Sequence, residues 1–167
     1  MTIISDRMSA IAFDRTFRQP LATVFAAFSD PAKKSKWFTG PSDGKVQEQA
    51  IDCRTGGREI LDVRWASGTV SRFEAQYHRV DDKDRIVYSY DLFIDGVLFS
   101  ISLADVRFEA GSDGGTVVHF AESTAYYNEA DLGQMTDGRM HGTKALFDML
   151  GMALENQAVV STIDDCH

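Results

Sequence analysis

The chain has 167 residues, 44% of them hydrophobic and 25% charged, with a formal net charge of -8. That is the size of one domain, able to bury roughly 70% of its unfolded surface and so to fold without disulfides or metal. Its acidic surface repels phosphate backbones and anionic lipid heads, which excludes nucleic acid and membrane surfaces as first expectations.

The two cysteines, Cys53 and Cys166, are far apart and share no CxxC spacing. This argues for a reducing compartment and against a disulfide framework or a zinc site. The N-terminal "MTIISDRMSA" carries charges and no long apolar core, and no run approaches the roughly 18 apolar residues of a membrane span. A cytoplasmic protein is expected.

In chain order, "SAIAFDRTFRQ" (9–19) alternates apolar and polar residues and reads as a half-buried strand. "PLATVFAAFSD" follows, with Pro20 suited to the first helical position and Leu21, Val24, Phe25 and Phe28 on one face. Asp30 then caps a second short helix opened by Pro31 and closed near Trp37 and Phe38. From residue 45 onward six runs rich in Val, Ile, Phe and Tyr are separated by "TGG", "ASG", "DDKD", "DG" and "GSDGG". Separators this short make hairpins, so the runs form an antiparallel meander. "DGRMHGTKALFDMLGMALENQ" changes to helical period, with Met140, Phe147, Leu150 and Leu154 on one face. Gly142 and Gly151 interrupt it, and because glycine costs a helix about 1 kcal/mol against alanine, a close approach is expected at both. One domain over 9–157 is expected, with 1–8 and 158–167 as flexible termini. A single curved sheet has one large apolar element left to cover its concave face, the last helix.

These marks resemble the START-like, helix-grip superfamily (SRPBCC), and within it the domain named after activators of the heat-shock-protein-90 ATPase. The resemblance runs from about residue 11 to 155. It is carried by "DRTFRQPLATVFAAFSDPAKKSKWF", then "GP", "IDCRTGG" and "YHRVDDKDRIVYSY". It implies an α+β fold: a seven-stranded curved antiparallel sheet, two short helices after the first strand, and a long C-terminal helix that the sheet wraps. Many members carry Gly-Trp before the leucines of that helix. Here the pair is Gly142-Thr143, which should enlarge or reshape the cavity beside it.

The seven residues "IDCRTGG" lack the glycine spacing and following helix of a phosphate loop. They read as a hairpin corner with Gly56-Gly57 in the turn. The four histidines, His78, His119, His141 and His167, show no metal-ligand spacing, so neither metal nor cofactor is expected. His119 alternates with Val118 and Phe120 and should face away from the helix, whereas His141 adjoins Gly142 and could line a cavity mouth. In "GREILDVRW", Glu59, Leu61, Val63 and Trp65 share the more apolar, inward face. Glu59 is therefore expected at the cavity wall or at its wet rim, as a ligand-orienting group, half of an ion pair, or a solvated strand end.

The expected function is a binding module that encloses a small hydrophobic molecule and performs no covalent chemistry. Trp37, Glu59, Trp65, Tyr88, Tyr90, Met140 and Phe147 are its expected wall. A polyketide-cyclase-like enzyme using Glu59 or His141 for acid–base help is the alternative. Activation of the chaperone ATPase ranks last, since the known eukaryotic activators carry a further N-terminal domain. Exposed edge strands would permit a homodimer.

Overall fold

The computed structural model describes residues 7–127 and 131–164, with 158–164 described by backbone alone. Most of the segment 1–8, together with Cys166 and His167, lies outside the described residues.

Strand β1 (Met8–Phe17) is followed by α1 (Leu21–Ser29) and α2 (Pro31–Lys34). Then come β2 (Lys45–Ile51), β3 (Arg58–Arg64), β4 (Val70–Asp81), β5 (Arg85–Ile94), β6 (Val97–Ala110), β7 (Thr116–Tyr126) and α3 (Leu132–Asp164). The seven strands make one antiparallel sheet in the order β1-β7-β6-β5-β4-β3-β2. The fold is therefore the α+β helix grip, with β1 returning to close the meander against β7.

Local chemistry explains the element ends. Pro20 is the N-cap of α1, one residue earlier than its expected helical position, with ψ at 156° and no side-chain cap bond. Asp30 breaks the two short helices apart, and its carboxylate accepts from the Ala32 amide at 2.9 Å while Pro31 takes the first helical position. The Trp37 indole N–H donates to the Ala27 carbonyl at 2.8 Å, tying the end of the second helix back onto the first.

The "IDCRTGG" corner is a turn. Gly56 has φ at +83°, and a Cβ on Gly57 would stand 2.0 Å from the Asp52 carbonyl oxygen. Gly56 and Gly57 also exchange backbone hydrogen bonds with Tyr77 at 2.9 Å each. Glycine is required at 56 by its positive φ and at 57 by the closeness of the Asp52 carbonyl.

Helix α3 differs from its expected limits at both ends. It starts at Leu132 and its backbone continues to Asp164, through most of the segment expected as a tail. Asp131 begins it, its carboxylate accepting from the Gln134 amide at 2.9 Å. Phe147 anchors the helix in the core, with ring centroids 5.0 Å from Phe13 and 5.6 Å from Phe120. Arg15 pairs with Asp148 at 2.6 Å, and Arg18 and Gln19 hold Glu155, so the edge strand and the helix are clamped from the solvent side. Leu150, Leu154, Val24 and Val118 complete the core at 0–1% exposure. Each such side chain stabilises the fold by about 1.5–3 kcal/mol.

The two helical glycines depart from expectation. A Cβ on Gly142 meets nothing within 4 Å, and one on Gly151 meets only the Phe17 ring at 3.8 Å, an ordinary contact. Neither glycine answers a close approach.

Candidate functional site

The concave face of the sheet and α3 do not meet everywhere. Between them lies a cavity of about 690 Å³, within the usual range for small-molecule sites. Its floor is aromatic because inward positions of neighbouring strands carry rings in register. Tyr88 pairs with Tyr77, and Phe73 with Leu92, across β4 and β5. The Phe73 ring lies 4.6 Å from Tyr90 and 5.1 Å from Phe38, and Tyr88 lies 5.8 Å from Tyr77 and 6.1 Å from Tyr90.

A bulge at His78 shifts the register between Tyr77 and Arg79. The inward set therefore passes from Ala75 and Tyr77 to Val80, which packs on the core. Helix α3 forms the roof with Arg139, Thr143, Leu146 and Phe147. Gly138 and Gly142 line it too, and open space surrounds both. Residues that line the cavity and are also exposed mark its mouth: Trp65 on the sheet side, Gly138, Gly142 and Ala145 on the helix side.

Two polar clusters interrupt the apolar wall. In the first, the Lys34 ammonium donates to Glu59 Oε2 at 2.6 Å and to the Tyr77 hydroxyl at 3.0 Å, and Tyr77 also bonds Glu59. Lys34 lies over the rings of Phe38 and Tyr77 at 4.9 and 5.6 Å. Burial, with the Glu59 charge beside it, drives the Tyr77 hydroxyl far above an ordinary phenol, so it remains a neutral donor. Glu59 Oε1 in this cluster is buried with no partner among the described residues.

The second cluster joins β5, β6, β7 and α3. Glu122 Oε1 accepts from the Tyr90 hydroxyl at 2.9 Å and from Thr124 at 3.1 Å, and Ser102 bonds Thr124 at 2.8 Å. Arg139 reaches down from α3 and donates to the Tyr90 hydroxyl at 2.7 Å and to Ser100 at 2.8 Å. Its Nε is 3.9 Å from Glu122, and its guanidinium lies 5.5 Å from the Tyr126 ring centre. Burial raises the Glu122 carboxyl above its usual range, opposed in part by Arg139. Burial also works against the Arg139 charge, but Tyr90, Glu122 and Tyr126 outweigh it, and the guanidinium is held protonated. The Tyr126 hydroxyl is buried and makes no hydrogen bond to a described residue.

The residues expected at the wall fall into three groups. Trp37, Trp65, Tyr88, Tyr90 and Phe147 line the cavity. Glu59 faces inward but lies behind the wall, 1% exposed and locked to Lys34, so the wet-rim and ligand-orienting readings give way to the ion pair. Met140 packs against the core outside the cavity lining. His141 is exposed and also outside the lining, because its position on α3 points it away from the sheet. His119 faces outward, with Nδ1 2.6 Å from Asp14 and Nε2 2.8 Å from Glu109. The residues that sequence reasoning missed are Lys34, Glu122 and Arg139. A signal existed for Glu122, which follows Val118 and Phe120 at period two on the inward face of β7.

A smaller hollow of about 490 Å³ on the far side of Trp37 is edged by Lys33, Lys36 and Met152. None of its polar residues is buried, so it offers no anchor. Among the described residues no three His, Cys, Asp or Glu side chains could share a metal ion, and no helix is long and apolar enough to cross a membrane.

A curved sheet closed over a long helix, with a cavity between them, defines a START-like domain, a class of ligand-binding domains. The chain belongs to the family described as activator of Hsp90 ATPase homolog 1-like protein, whose model matches residues 18–155. It is similar to an uncharacterised protein from Rhizobium leguminosarum, at 30% identity and a TM-score of 0.81 over 93% of this chain and 99% of that one. The Mll3558 protein from Rhizobium loti is 29% identical at a TM-score of 0.78, over 87% and 96% of the two chains. The AHSA1-like protein from Aeromonas hydrophila, at 20% identity and a TM-score of 0.66 over 90% and 94%, shares the fold. No curated protein matches the sequence.

Proposed function

We propose that the protein binds a small, largely hydrophobic molecule in the cavity between the sheet and α3, without covalent chemistry. The observation that carries this reading is a cavity of about 690 Å³ walled by rings and roofed by a helix that keeps glycine where side chains would fit. A helix under selection for stability alone would carry alanine at Gly138 and Gly142. An apolar cavity with a few placed polar groups is the form that small-molecule sites take.

Acid–base catalysis by the two expected groups has no support in the geometry. Glu59 is tied to Lys34 and Tyr77 behind the wall, and His141 is outside it. The test uses the fluorescence of N-phenyl-1-naphthylamine, a neutral apolar dye, with the protein and with Thr143→Trp. Thr143 lines the roof, and an indole there should occupy the cavity. The dye should brighten with the native protein and lose that response with the variant. Equal responses from two folded proteins would contradict the reading. A chaperone activity borne by the surface would instead be indifferent to Thr143→Trp.

A further inference from the structure

We propose that the ligand carries a carboxylate, seated against Arg139 at the β6–β7 end of the cavity, with its apolar body along the rings of β4 and β5. This inference rests on the cavity being a ligand site and names the class of molecule it takes.

The second polar cluster leaves N–H donors of Arg139 open toward the cavity. A guanidinium has five N–H donors. One of them goes to Tyr90 and one to Ser100, and the Nε–Glu122 separation of 3.9 Å is too long for a hydrogen bond. The other N–H groups of Arg139 make no hydrogen bond of normal length to a described residue and are open to another acceptor. The Tyr126 ring lies beside the same guanidinium, and its hydroxyl, buried at 4% exposure for the residue, has no hydrogen-bond partner among the described residues. Glu122 Oε1 already receives both Tyr90 and Thr124. A group made only of acceptors, in a planar two-oxygen form, fits the N–H groups of Arg139 that Tyr90 and Ser100 leave open.

Charge points the same way. The other cation on the wall, Lys34, is neutralised by Glu59 at 2.6 Å. Arg139 has only the more distant Glu122 carboxyl, whose burial favours its neutral form. A cationic head would have to displace Arg139 from Glu122, and an uncharged head would leave the guanidinium fork unfilled. The net charge of -8 does not oppose this, because exposed charges farther than a Debye length, about 8 Å at physiological salt, are largely screened. The side chain of Arg139 is 13% exposed, so its field is felt inside the cavity more than outside it.

The test compares heads on a constant body, by calorimetric titration of the full chain at neutral pH. Decanoate, decan-1-ol and decylammonium form one series; 2-naphthylacetate and 2-naphthaleneethanol form a second of different shape. The carboxylate should bind about tenfold more tightly than the matched alcohol in at least one series, and the ammonium should bind worst. Arg139→Lys keeps a charge but loses the fork. It should weaken the carboxylate more than the alcohol and so cut the carboxylate's advantage several-fold. Alcohol or ammonium binding as tightly as carboxylate would overturn the carboxylate assignment while leaving the hydrophobic site intact. Failure of every probe to bind would contradict both. The comparison among heads on the native protein needs no variant to fold.

Discussion

Three side chains that reach the cavity or stand behind it, Lys34, Glu59 and Tyr77, form a buried ion pair closed by a hydroxyl. Taking two charges from water is costly, and removing one partner leaves the other stranded. Glu59→Leu should therefore destabilise the protein by about 3–5 kcal/mol in urea unfolding, and the double variant Lys34→Met with Glu59→Leu should recover most of that loss. A double variant no more stable than the worse single would contradict this account of the pair. On the outer face, His119 lies between Asp14 and Glu109, and those two contacts, Glu109 first, raise its pKa despite some burial. A raised folded pKa means stability that is complete below the unfolded histidine value, about 6.5, and lost as pH rises through the folded value. His119→Gln should thus be less stable than the native protein at mildly acidic pH and equal to it in alkaline buffer. A constant difference across that range would show that the ring acts by packing alone.

At the scale of elements, the glycines of α3 and of the β2–β3 corner make opposite predictions. Gly142→Ala adds a methyl group into open space in a helix and should raise stability by about 1 kcal/mol. Gly57→Ala would bring its Cβ against the Asp52 carbonyl and should destabilise or prevent closure of the corner. Thermal unfolding of the two variants checks both signs. The strands, the paired short helices and the final helix were all legible, because alternation, Asp30-Pro31 and the change of period at α3 are local signals. Why Gly142 is glycine was not legible. Sequence shows that a side chain is missing, and only the packing of α3 over the sheet shows that the reason is space and not contact. The same holds for the continuation of α3 past residue 157, where the apolar pattern weakens but the backbone hydrogen bonds go on.

For the whole molecule, the fold follows from pattern and the cavity from curvature. Right-handed twist and register shifts in β2, β4 and at the β5–β6 pair bend the sheet around α3. The aromatic wall could be read in advance because Trp65, Tyr88 and Tyr90 keep their alternation up to the cavity. The inward facing of Glu59 was legible and an ion pair was among its expected roles, but the partner was not, since Lys34 comes from a helix 25 residues earlier. Arg139 was missed for a related reason. A lone arginine among polar residues on a helix looks solvated until β6 and β7 bring Ser100, Tyr126 and Glu122 beneath it. The central claim is that this cavity holds a small molecule. Native mass spectrometry of freshly purified protein, set against the denatured mass of the same sample, tests it most directly. The account predicts a reproducible added mass that disappears on denaturation and is absent from Thr143→Trp. The native protein and the variant both at the bare chain mass, or the same adduct on each, would contradict it.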